Sequence, residues 1–149
     1  MMLTMLLNNL IKDKLFYLAV ITAAVFWVFL GLLTQPVFDL SWPVELPGKF
    51  LLLVLLYPLV EELVFRGVIQ GWLLTRINRS WRGVSLANLL TSVLFVALHL
   101  WQHPPLWAFA VFVPSLIFGF FRDRYQSVIP AIILHSFYNL GYFWMFYQP

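Results

Sequence analysis

Between Leu15 and Tyr147 the sequence is a succession of five apolar runs, at about Leu15–Thr34, Lys49–Arg76, Val84–Trp101, Leu106–Phe121 and Ser127–Tyr147. A helix needs about 20 apolar residues to cross the hydrocarbon core of a bilayer, and each run approaches or exceeds that length. Charge is too scarce for a water-soluble alternative. Only 10% of the 149 residues are Asp, Glu, Lys or Arg, 62% are hydrophobic, and the mean hydropathy is +0.89. Soluble domains carry about a quarter charged residues. The expected fold is all-α, a polytopic membrane helix bundle of about five transmembrane helices forming one domain over residues 1–149. The first run is longer than a signal-peptide core and no small-residue cleavage site follows it, so it is expected to be retained.

Pro36, Pro43, Pro47 and Gly48 separate the first two runs; Asn78 to Gly83, His103-Pro104-Pro105 and Arg122 to Gln126 form the later breaks. Pro114 and Pro130 fall within or at the start of a run and are expected to kink it. Trp42, Trp81, Trp101 and Trp144 lie near run ends, as interfacial tryptophans do. With five spans, Lys12, Lys14, Arg76, Arg79, Arg82, Arg122 and Arg124 fall on one side and only Lys49 on the other. Basic residues mark the cytoplasmic side. The amino terminus is therefore expected in the cytoplasm and the carboxyl terminus outside. Basic residues in short loops read as this topology signal, not as a nucleic-acid surface. The absence of cysteine excludes disulfides and thiol chemistry.

Three charged residues remain inside the runs: Glu61, Glu62 and Arg66. A carboxylate at the bilayer centre costs at least about 3 kcal/mol, so intramembrane charges are functional candidates. Glu62 and Arg66, four residues apart with the carboxylate first, suit a structural ion pair. That leaves Glu61, which points about 100° away from Glu62 on a regular helix. His99 and His135 also lie within runs. Asn139 shares a face with His135, and Asn88 and Ser92 form a polar stripe with His99. At 1.5 Å per residue, Glu61 lies about 22 Å from Arg76, His99 about 25 Å from Arg82, and His135 and Asn139 about 16 and 22 Å from Arg124. Straight helices would bring all four to similar heights. These heights lie at or beyond mid-depth, so the cluster is expected to open towards the extracytoplasmic side.

A carboxylate beside a histidine, shielded from bulk water, can take a proton from a bound water. A second histidine and an amide can stabilise a developing oxyanion. Other hydrolytic sites fit worse. There is no HExxH zinc motif and no GxSG serine site, and Asp13, Asp39 and Asp123 all fall in expected loops outside the runs, which excludes an aspartyl dyad. Two readings without proteolysis remain: a transporter or channel that uses the same Glu and His residues as a proton relay, and a membrane immunity or assembly protein, which has no need of Glu61.

Glu61-Glu62-Leu63-Val64-Phe65-Arg66 resembles the EExxxR motif of the CAAX-processing and bacteriocin-processing intramembrane proteases, the Abi family. Phe95-Val96-Ala97-Leu98-His99 resembles its FxxxH motif, and His135-Ser136-Phe137-Tyr138-Asn139 its HxxxN motif. The resemblance covers about residues 49–147. It implies a glutamate-dependent endopeptidase without a cofactor, in which Glu61 and His99 activate water, His135 and Asn139 form the oxyanion site, and Glu62 and Arg66 support them. It also leaves a zinc-dependent version open, with Glu61, His99 and His135 as the two-His, one-carboxylate set. The chain is short for this family, which sets expectation against prenylated CAAX substrates. The expected partners are the lipid bilayer and a peptide or protein substrate with a hydrophobic or carboxyl-terminal sorting segment; no nucleic acid is expected.

Overall fold

The computed structural model describes residues 2–33, 39 and 41–146. The expected run ends at Thr34 and Tyr147, and the break at Pro36, lie outside the described residues. Helix α1 (Met2–Lys12) precedes α2 (Lys14–Leu33), the first expected span. No element is expected before Leu15, so α1 is an addition made by the structure. Asp13 separates the two helices and accepts the Leu15 N–H at 3.0 Å, satisfying a donor that the start of α2 leaves open. Asp39 is likewise non-helical; its carboxylate accepts the Ser41 hydroxyl and N–H, which hold its pKa below the usual value.

The second expected run is helical throughout but not uniform. After a short α3 (Trp42–Glu45) come α4 (Pro47–Leu51), a π-helical stretch Leu52–Leu56, α5 (Tyr57–Glu62), a second π-helical stretch Leu63–Gln70 and α6 (Gly71–Arg76). Pro43 and Pro47 sit in the first turns of α3 and α4, where a missing N–H costs nothing. Trp42 is 2% exposed and packs edge-on against Phe50 at 5.5 Å.

The expected loop after Arg76 contains a two-residue hairpin. Strands β1 (Ser80–Trp81) and β2 (Val84–Ser85) pair antiparallel across Arg82 and Gly83, both at positive φ (49° and 84°), as a primed turn requires. The third helix therefore begins at Leu86, not Val84. Ser85 caps this helix, α7 (Leu86–His99), by accepting the Asn88 N–H at 3.0 Å. The fourth expected span is two helices, α8 (Pro105–Ala110) and α9 (Phe112–Tyr125), broken at Val111. Pro114 cannot donate to the Ala110 carbonyl and its ring crowds it, which places the break. Helix α9 outruns Phe121 and stops at Gln126, in the left-handed region at φ 49°. Arg122, Asp123 and Arg124 are therefore helical, not part of a break. Helix α10 (Ile129–Phe146) is the fifth expected span, with Pro130 in its first turn.

The chain forms two compact units, one of residues 1–59 and 133–149, the other of residues 60–132. In the first, Tyr138 donates to the Ala19 carbonyl at 2.9 Å, and Trp27 packs on Phe137 at 5.0 Å. A Cβ at Gly141 would run into the Trp27 indole, so the backbone approach there requires glycine.

The second unit is built inside out. Helix α7 buries Asn88, Thr91, Ser92 and Phe95 while Leu89, Leu90, Val93, Leu94 and Leu98 are exposed. Across from it, α9 buries Ser115, Phe118 and Gly119 and exposes Val113. Polar and small residues inside, with large apolar ones outside, suit a lipid solvent, where close packing and hydrogen bonds hold helices together. By length and composition, Lys14–Leu32 and Pro105–Tyr125 can each cross a membrane; Leu86–His99 is apolar but shorter.

Candidate active site

Glu62 and Arg66 form the centre of the second unit. Both are fully buried, and the Arg66 Nε donates to Glu62 Oε2 at 3.0 Å. A buried ion pair survives only if further hydrogen bonds and packing offset its lost hydration. Here the Arg66 Nη2 donates to Ser115 Oγ at 2.7 Å, and the guanidinium lies 5.7 Å from the centre of the Phe95 ring. Sequence reading missed Ser115, a lone hydroxyl in the apolar stretch that α9 presents to Arg66.

A second set of contacts holds the backbone that carries this pair. Arg122 Nε donates to the Arg66 carbonyl at 3.1 Å. Gln70 Nε2 donates to the Gly119 carbonyl at 3.0 Å and to Asp123 Oδ1 at 2.8 Å, and Ser85 donates to Asp123 Oδ2 at 2.5 Å. Asn88 donates to the Leu116 carbonyl at 2.9 Å. Gly119 permits this closeness: a Cβ there would overlap the Asn88 amide and come within 2.9 Å of Gln70 Oε1. Gln70 continues the four-residue spacing of Glu62 and Arg66, which is the signal that marks it in the sequence. Asp123 is half-buried on the last turn of α9, not in a loop, and is taken up by this network.

Glu61 is half-buried on α5, next to Glu62. His99 is half-buried at the end of α7. Phe65 connects the two motifs, its ring edge-on to Phe95 at 4.8 Å, and Phe95 lies 4.3 Å from the His99 ring. His99 Nδ1 is 2.8 Å from the Phe95 carbonyl oxygen. A carbonyl can only accept, so Nδ1 carries the hydrogen, and in the neutral ring Nε2 is the basic nitrogen.

His135 and Asn139 belong to the first unit. His135 is buried at 7% exposure, and Asn139 is half-buried, its Nδ2 donating to the Leu53 carbonyl at 2.9 Å. Leu53 lies in the first π-helical stretch. Among the described residues no three His, Cys, Asp or Glu side chains form a group that could hold a metal ion. Glu61 and His99 belong to the second unit and His135 to the first, and no step is derived through a metal.

The three motifs are matched over their whole extent by one family model, described as type II CAAX prenyl endopeptidase Rce1-like, which covers residues 43–141. The chain belongs to this family. The Rce1-like family is one of helical membrane proteins with CAAX protease activity, which agrees with the apolar exterior of the second unit and assigns the chain to the membrane. The resemblance seen in the motifs thus holds at the level of the whole matched region. No curated protein and no solved structure is detectably similar to the chain.

Proposed function

We propose that the chain is an intramembrane endopeptidase that hydrolyses a peptide bond in a membrane-associated or secreted substrate. Glu61 and His99 take a proton from a water molecule, whose oxygen attacks the carbonyl carbon of the scissile bond. The C–N bond then breaks, and the same proton passes to the leaving amine. His135 and Asn139 stabilise the intervening oxyanion, a role that rests on the HxxxN motif. Glu62 and Arg66 fix the helix that carries Glu61.

The observation that carries this reading is the hydrogen bond from His99 Nδ1 to the Phe95 carbonyl, which makes Nε2 a base in the helix pair that also bears Glu61. The substrate class is a peptide with a hydrophobic or carboxyl-terminal sorting segment, prenylated peptides ranking second. The chain crosses a bacterial inner membrane about five times, with its amino terminus in the cytoplasm and its carboxyl terminus outside.

Glu61→Gln tests the chemistry, since it keeps shape and removes the base. The variant is expected to accumulate normally in the membrane and, reconstituted with hydrophobic reporter peptides that the wild type cuts, to show no cleavage by mass spectrometry. Near-normal turnover would rule this mechanism out. For topology, a reporter fused after Gln148 is expected to be active only outside the cytoplasm; activity inside would mean an even number of spans.

A further inference from the structure

His99, His103 and Trp107 are spaced four residues apart, although a helix end and two prolines intervene. The helical turn continues past α7: the Gln102 and His103 N–H groups both donate to the His99 carbonyl, at 3.1 and 2.9 Å. Pro104, at φ −56° and ψ 145°, then turns the chain into α8. The result is a group of aromatic rings. His103 stacks with His99 at 5.8 Å and 22°, Trp107 with His99 at 5.9 Å and 25°, and His103 meets Trp107 at 4.1 Å. With Phe95 at 4.3 Å, three rings from consecutive turns of chain surround the His99 imidazole.

The bond from Nδ1 to the Phe95 carbonyl does not by itself fix this ring. The second side-chain torsion of histidine is broad and nearly two-fold. A half-turn about it exchanges Nδ1 with a ring carbon and carries Nε2 away from its place. Flat neighbours resist that rotation, because a turning ring must sweep through them.

We infer that His103 and Trp107 are positioning residues for His99, holding its ring so that Nδ1–H stays on the Phe95 carbonyl and Nε2 keeps one direction. The inference rests on the reading of His99 as a base. Removing such support costs about 10- to 100-fold in activity where a reactive group depends on its outer contacts.

The chain has three histidines, so the ring nitrogens of protein labelled with 15N-histidine can be separated by NMR in nanodiscs, with His99→Gln assigning one set. In the wild type His99 is expected as the Nδ1–H tautomer. Trp107→Ala is expected to give a mixture of tautomers and to lower kcat about tenfold or more with KM little changed, and Trp107→Phe to restore both. His103→Ala, which leaves Trp107 in place, is the second variant should Trp107→Ala melt below the working temperature; it is expected to move both readouts in the same direction. A wild-type His99 protonated on Nε2, or variants with unaltered tautomer and kcat, would overturn the inference. A wild type with the expected tautomer that cleaves no peptide would overturn the protease reading and leave the positioning standing.

Discussion

Arg122 reaches back from the last turn of α9 to donate its Nε–H to the backbone carbonyl of Arg66 at 3.1 Å. An arginine expected to mark a cytoplasmic loop is instead 15% exposed and bonded to the helix that carries the ion pair. The contact needs a donor partway along the side chain, which lysine lacks. Arg122→Lys is therefore expected to lose nearly as much as Arg122→Ala, roughly 1.5–3 kcal/mol for a hydrogen bond from a charged group. Thermal unfolding in detergent measures it. A lysine variant as stable as wild type would show that only the charge matters.

Glu62→Ala leaves the Arg66 guanidinium fully buried without its carboxylate. Breaking such a pair costs about 3–5 kcal/mol, and the variant is expected to fail to accumulate. The double variant Glu62→Leu, Arg66→Met removes both charges together and is expected to recover much of that loss, as membrane yield and melting temperature would report. Equal instability of the single and double variants would mean the pair has a use beyond balancing itself.

Gly119→Ala adds a methyl group where the Asn88 amide already sits. Overpacking of this kind costs about 1–3 kcal/mol, and here it also disturbs the bonds Asn88 makes to α9. Asn88→Ala in the same chain opens the space, so it is expected to relieve part of the loss. Additive losses in the double variant would locate the strain elsewhere.

Asn139→Ala is expected to lower kcat about 100- to 1,000-fold if its amide serves the oxyanion. The same change removes the donor to the Leu53 carbonyl, so stability must be followed alongside turnover. A variant that melts early but turns over normally would make Asn139 a structural residue only.

The native chain has no cysteine, so single cysteines at Leu98 and Leu140 can be labelled selectively. Leu98 is 56% exposed, one residue before His99. Membrane-impermeant thiol reagents are expected to reach both positions from outside. Faster labelling from the cytoplasmic face would reverse the expected opening.

The long apolar runs were legible because a lipid solvent leaves a simple record: about 20 residues without charge. Glu62 and Arg66 were legible as a pair because four residues return a helix to the same face. What the sequence concealed depends on pairing across distant segments. Ser115 and Asp123 acquire roles only when α9 lies against the π-helical stretch, and no local spacing encodes that. The hairpin at Arg82 and Gly83 was hidden because arginine is not a residue expected at positive φ. Helix α9 ran past its expected end because Arg122 and Asp123 are satisfied by protein contacts and need no water.

The π-helical stretch Leu63–Gln70 also changes how height is measured along the helix. Each residue advances the chain by the same 3.8 Å step between Cα atoms. A wider coil spends more of that step going round and less going forward. Arg76 lies fifteen steps along the chain from Glu61, and eight of the fourteen residues between them belong to this stretch. A ruler graded at about 1.5 Å per residue therefore reads too long here. Glu61 stands closer to the arginine end of its helix than a residue count suggests, and under the proposed function and orientation the bond it cuts would lie correspondingly closer to the inner leaflet.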